Sequence, residues 1–203
     1  MGWLLGLLSP TIVNKIKDNY DRKSFFEAVK TELSELSFQL CITGFKLGQE
    51  YGQLDKNGIQ VIKTQLSAYQ GSENIKNITK LLNLLLNASD DEFIIIMKSQ
   101  RAQQGRSLSL KTHSISLLDS NPKGISRLPI EVQSKIYEFK NKLNIYNQEV
   151  LWLREHVKLT FIPDMTSANH TNVTNDIHQR YADLQKICES ICKKVHAIKE
   201  SKV

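Results

Sequence analysis

Glycine and proline are scarce in this chain, 9 and 4 of its 203 residues. Glycine weakens a helix through backbone entropy, and proline through a missing N–H and a clash with the preceding turn. Their scarcity leaves room for long unbroken helices. Cysteine is also rare, with three residues at positions 41, 188 and 192. An odd, sparse set is not a disulfide framework and points to a reducing compartment. The longest apolar stretch, at the N-terminus, falls short of the ~20 residues a membrane-spanning helix needs. A phosphate-binding P-loop, a Gly-rich dinucleotide fingerprint and a His-Glu-x-x-His zinc pair are all absent. These absences remove the commonest nucleotide-dependent and zinc-dependent enzyme classes. No cofactor and no metal is implied.

Apolar residues make up 40% and charged residues 24%, ordinary values for a globular domain able to bury its core without disulfides or metal. The spacing of the apolar residues predicts an all-α fold. Phe26, Val29, Leu33, Leu36, Leu40, Thr43 and Leu47 alternate in steps of three and four, a heptad seam with one polar member. This helix is predicted from about residue 20 to Leu54, with Asn57-Gly58 as the turn that stops it. A second helix is predicted from Ile59 to Tyr69, ending near Gly71. Ser72 would cap a third that carries Ile75, Ile78, Leu81, Leu82, Leu85 and Leu86. Ser89 and Glu92 form a capping box before Phe93–Met97, which reads as a buried helix.

The clearest pattern follows Pro129. Val132, Ile136, Phe139, Leu143, Tyr146, Val150, Leu153, Val157 and Thr160 repeat the four–three alternation. Pro163 ends that run, and residues 164–172 read as a polar turn. Ile177, Tyr181, Leu184, Cys188, Ile191, Val195 and Ile198 then form another seam. Two long helices across a short turn make an antiparallel hairpin. The predicted architecture is an elongated helical bundle with this long antiparallel hairpin at 129–203. Residues 1–20 form an apolar and basic N-terminal segment, 21–104 the other half of the bundle, and 105–128 a basic crossover with one short helix. All belong to one domain.

Charge is uneven within a formal total of +6. Lys98, Arg101, Arg106, Lys111, Lys123 and Arg127 face only Asp119 within residues 98–127, a stretch suited to an anionic partner. Arg101, Arg106 and Lys111 are its candidate anion-binding residues, although a plain solvated loop is the first reading of such a stretch. At the N-terminus, Trp3, Leu4, Leu5, Leu7 and Leu8 precede Lys15, Lys17, Arg22 and Lys23. A secretory signal places cations before its apolar run, so this order is wrong for one. It suits a segment at the cytoplasmic face of a membrane, with Trp3 at the headgroups and the cations on anionic lipid. Gly6 stands where a myristoylation signal carries Ser or Thr. The same segment could instead cover a groove on its own bundle or dock into a partner.

Cys188, Cys192 and His196 form a row at four-residue spacing. The row spans about 12 Å, too long for three ligands of one ion, and Cys188 belongs to the seam. Asp90, Asp91 and Glu92 sit at a helix start, where they complement the helix dipole.

Arg106 and His113, six residues between them, resemble the Arg-x4–6-His motif of the all-α HEPN ribonucleases. That resemblance implies an RNA-cleaving site built from these two residues, usually across a dimer. The family often has a polar Asn, Asp or His after the Arg, where this chain has Ser107. A second resemblance rests on Leu128-Pro129-Ile130-Glu131-Val132, Ile136-Tyr137, Asn144 and Asn147 together with the apolar N-terminus. It is to poorly characterised bacterial helical proteins. It implies an accessory or membrane-associated component, some such proteins serving in phage defence.

The residues favour a non-enzymatic interaction or scaffold protein. It would work through self-association or a protein partner, be cytoplasmic, and sit peripherally at the inner face of a membrane. One alternative is a HEPN-like or nucleic-acid-binding protein using Arg106 and His113. Another is an effector that perturbs membranes through its N-terminal segment.

Overall fold

Eight helices and no strand make up the regular structure of the described residues. The computed structural model describes residues 10–52, 54–69, 75–103 and 106–203. The first helix, α1, runs Pro10–Glu50, so it starts ten residues earlier than the apolar seam suggests. Proline is preorganised for a first turn, where its missing N–H costs nothing. The end also comes earlier, because the Tyr51 and Gly52 amides both fold back onto the Leu47 carbonyl, at 2.8 and 2.9 Å.

The second helix, α2, spans Lys56–Ser67. The predicted Asn57-Gly58 turn therefore lies inside its first turn. Asp55 overrides the turn signal: its carboxylate accepts the Gly58 amide at 2.7 Å and caps the helix. The predicted Gly71 stop and Ser72 cap lie outside the described residues. The third helix, α3, spans Lys76–Asn87 and buries Leu82 and Leu85, whereas Leu81 is exposed. The fourth, α4, spans Asp90–Ser99 behind the expected capping box of Ser89 and Glu92. Its apolar run is not buried throughout. Phe93 and Met97 face the core while Ile94, Ile95 and Ile96 are exposed, as a 3.6-residue period requires of five consecutive positions.

The crossover holds two short helices rather than one, α5 at Ser116–Ser120 and α6 at Pro122–Ser126. Asn121 separates them and accepts the Gly124 amide at 2.8 Å. The long seventh helix, α7, spans Ile130–Leu159 with Pro129 at its N-cap, one place outside the first turn. The last, α8, spans Ser167–Lys199. It begins inside the predicted polar turn because Thr166 caps it, accepting the Asn169 amide at 3.3 Å.

Cross-helix pairs set the directions. Glu149 meets Arg180 and Glu138 meets Lys194, both at 2.7 Å, so α7 and α8 run antiparallel. Lys199 donates to the Ser34 hydroxyl at 3.2 Å, and Cys41 lies 3.3 Å from Cys192, so α8 is also antiparallel to α1. The two ion pairs are partly exposed and contribute only ~0–1 kcal/mol each, and the seams supply the main adhesion. Every seam residue from Ile177 to Ile198 is buried, and so are those from Val132 to Leu153. Thr43, the polar member of the α1 seam, turns its hydroxyl back to the Gln39 carbonyl at 2.9 Å. α2 returns along α1, where Tyr69 stacks on Phe38 at 4.4 Å and donates to Glu35 at 2.6 Å.

α1 approaches α8 through Gly44 and Gly48, one turn apart, and Gly52 just past its end also lies against Gln185 of α8. A Cβ on Gly44 would lie 3.1 Å from the Cys188 Cβ, and one on Gly48 3.2 Å from the Gln185 carboxamide carbon. The four-residue spacing is visible in the sequence, but the large apolar residues drew the seam one position away from it.

Candidate functional site

The start of α1 extends past the core. Lys199, at the end of α8, reaches only as far as Ser34. Residues 14–20 of α1 are therefore exposed, with Ile16 at 65% and Tyr20 at 73%. Farther along, Phe25 packs against Gly124 of α6; a Cβ on Gly124 would lie 2.7 Å from the ring. Glycine is needed there for this close approach.

That contact unites two basic stretches that are distant in sequence. A cleft of 720 Å³ is lined by Lys15, Ile16, Asp18, Asn19, Arg22 and Arg127. A neighbouring cleft of 360 Å³ is lined by Asp21, Arg22, Phe25, Asn121, Lys123, Gly124 and Arg127. Among the described residues, none of Lys15, Lys17, Arg22, Lys23, Lys123 and Arg127 enters an ion pair. Arg22 donates through one Nη to Asn19 at 2.8 Å, and its Nε is buried without a partner. Asp18 and Asp21 are the carboxylates lining these clefts. The basic end can therefore attract an anionic surface. Trp3, Leu4, Leu5, Leu7 and Leu8, the apolar part of the predicted membrane segment, lie outside the described residues.

The rest of the basic crossover goes elsewhere. Arg101 donates to the Gly52 carbonyl, and the Ala102 amide donates to Glu50 at 3.0 Å, which ties the segment after α4 to the end of α1. The Arg106 Nε lies 3.8 Å from Glu50, while Tyr51 donates to the Arg106 carbonyl at 2.7 Å. From there the chain runs as a strap held by side chains. Tyr181 accepts the Leu108 amide and donates to the Leu108 carbonyl, both at 3.0 Å. Arg154 donates to the Leu110 carbonyl at 2.7 Å, and Tyr146 to the Lys111 carbonyl at 3.2 Å. Asn147 pairs with both backbone groups of His113, at 2.8 and 2.7 Å. The Lys111 side chain is left exposed.

Arg106 and His113 meet different neighbours. The Arg106 guanidinium turns to Glu50 on α1, and the His113 ring tilts against Tyr146 on α7 at 5.6 Å between centroids. Burial, and then the nearby Lys111, hold the His113 pKa below the ordinary imidazole value. His178 also packs on Tyr51, its ring 5.1 Å from the Tyr51 ring. The His178 Nε2 is buried without a partner, and burial lowers its pKa too. Burial also raises the Tyr51, Tyr146 and Tyr181 phenols above their usual range.

Five residues that build the strap site, Tyr51, Tyr146, Asn147, Arg154 and Tyr181, escaped the sequence reading as functional positions. A signal was present for two of them. Tyr146 and Tyr181 sit in aliphatic seams, and a buried phenol needs a hydrogen-bond partner.

Among the described residues, no cluster of His, Cys, Asp and Glu is arranged to hold a metal, and no helix is long and apolar enough to cross a membrane. In the row Cys188, Cys192 and His196, both thiols are buried and the imidazole is exposed. Comparison with protein-family models, curated proteins and solved structures finds no match to this chain.

Proposed function

We propose that this protein is a helical scaffold that docks on an anionic membrane surface by the basic end of its bundle. The observation that carries this reading is the convergence of Lys15, Arg22, Lys123 and Arg127 on adjoining clefts at the projecting start of α1. The mostly apolar residues 1–9 precede this end directly in sequence. Short apolar segments flanked by cations partition into interfaces through both terms together. Each cation near an anionic membrane adds ~1 kcal/mol of attraction, so a group of them outweighs Asp18 and Asp21. The scaffold role needs a protein partner or a second copy. Exposed Leu84 on α3 and Ile95 on α4 support such a partner, because burying them in a contact removes apolar area from water.

The test is liposome flotation of the full chain beside the double variant Arg22→Gln/Arg127→Gln. The full chain should float with anionic vesicles and much less with neutral ones. The variant should bind about thirty-fold more weakly, the loss of ~2 kcal/mol from two cations. Equal flotation of both proteins on both lipids would overturn the electrostatic docking. Dye release from the vesicles would instead favour a membrane-perturbing effector.

A further inference from the structure

Cys41 on α1 and Cys192 on α8 are 151 residues apart in sequence, yet their sulfurs lie 3.3 Å from each other in the core. The surroundings give the two thiols different roles. The Cys192 Sγ reaches the Ser37 carbonyl at 3.7 Å as well as Cys41. The contact with Cys41 lowers the Cys192 pKa and raises that of Cys41, which makes Cys192 the readier of the two to lose its proton. Cys188 sits one turn away against Gly44, and burial keeps its thiol protonated.

We propose that Cys192 and Cys41 are a peroxide-sensitive pair whose disulfide staples α1 to α8. The Cys192 thiolate attacks one oxygen of hydrogen peroxide. The O–O bond breaks, and the departing hydroxide takes up a proton to become water, leaving a sulfenic acid. The Cys41 sulfur then attacks the sulfenic sulfur. The S–O bond breaks, and the oxygen leaves as a second water carrying the Cys41 proton. Two thiols lose two electrons in total, and one peroxide is reduced to two waters. Bond formation needs the sulfurs to close to ~2.0 Å, a short movement from contact. Both sulfurs are buried, so a small oxidant reaches them during local opening of the helices where a bulky disulfide does not. The product is reversible by thiols, as a switch in a reducing compartment requires.

The staple closes a long loop and should raise the thermal midpoint by roughly 5 °C or more. The decisive experiment uses the reduced full chain, treated with an equimolar amount of hydrogen peroxide, alkylated under denaturing conditions and mapped by peptide mass spectrometry. The expected product is a Cys41–Cys192 cross-linked peptide with Cys188 alkylated, lost again on treatment with dithiothreitol. Cys188→Ser should give the same cross-link. In Cys41→Ser the oxidation should stop at a sulfenic acid on Cys192 that dimedone traps. A Cys188–Cys192 link, a sulfinic acid on Cys192 beside free Cys41, or three unreacted thiols would each overturn the proposal.

Discussion

Asn147 makes two hydrogen bonds to a single residue, His113, and those bonds replace what a helix or sheet would supply to that backbone. Asn147→Ala removes both. The expected loss is about 1–3 kcal/mol, because the freed strap groups are partly buried. Asn147→Asp keeps the acceptor for the His113 amide and loses the donor to its carbonyl, so it should fall between the two. Urea unfolding gives the size of the loss, and amide exchange at residues 108–113 should quicken locally. No change in either would mean that Leu110 and Ile115, both buried, hold the strap without help. In the sequence Asn147 stood out only as a polar helix position within the Leu128–Asn147 resemblance, with no sign of its partner. Its partner lies 34 residues earlier and in no regular element.

Among the elements, the α1–α8 contact depends on what is missing from it. Gly44 in mid-helix costs ~1 kcal/mol relative to Ala in intrinsic propensity. Its place against Cys188, at 3.1 Å for a built Cβ, explains why a larger residue is absent. Gly44→Leu should destabilise by roughly 1–3 kcal/mol through overpacking. Gly44→Ala should change stability far less, since the gain in propensity offsets a contact only a few tenths of an ångström too close. Denaturant midpoints with unchanged slopes would check both; full stability in the Gly44→Leu variant would show that α1 can shift along α8. The helices themselves were readable from their seams because a buried stripe must repeat every 3.5 or 3.6 residues. Their ends were not, because caps such as Asp55 and Asn121 act through single hydrogen bonds that override turn-forming neighbours.

The whole molecule should respond to pH from both sides. His113 and His178 have folded pKa values below their ordinary 6.5, so the unfolded chain takes up protons first as pH falls. Their contribution is complete above pH 6.5 and declines below it. Asp90 and Glu138 have lowered pKa values through hydrogen bonds from Lys56 and Lys194, Glu92 through those from Ser89, and Asp183 through one from Gln179 and then one from Lys186. Their contribution is lost further down, as pH passes below the ordinary carboxylate range. Tyr51, Tyr146 and Tyr181 have raised pKa values, so stability should also fall once pH passes their ordinary 10 and the unfolded chain ionises first. Thermal midpoints across pH 4 to 11 should form a plateau with two shoulders. A midpoint unchanged between pH 7 and 5.5 would show that the two imidazoles are not held neutral.

By itself the sequence determined the all-α class, the long C-terminal helices and most of the buried residues, because these follow from local periodicity, and periodicity is a property of neighbours along the chain. It also marked two basic stretches, one in the first 23 residues and one at 98–127. Only the tertiary structure decided that Lys123 and Arg127 stand with Arg22 while Arg101 and Arg106 stand at the opposite end of α1. The same holds for the Cys41–Cys192 contact and for the separate neighbours of Arg106 and His113. The reason is physical. Period and propensity act over a few residues, but which side chains meet across a hundred residues depends on helix directions and loop paths that no short pattern encodes.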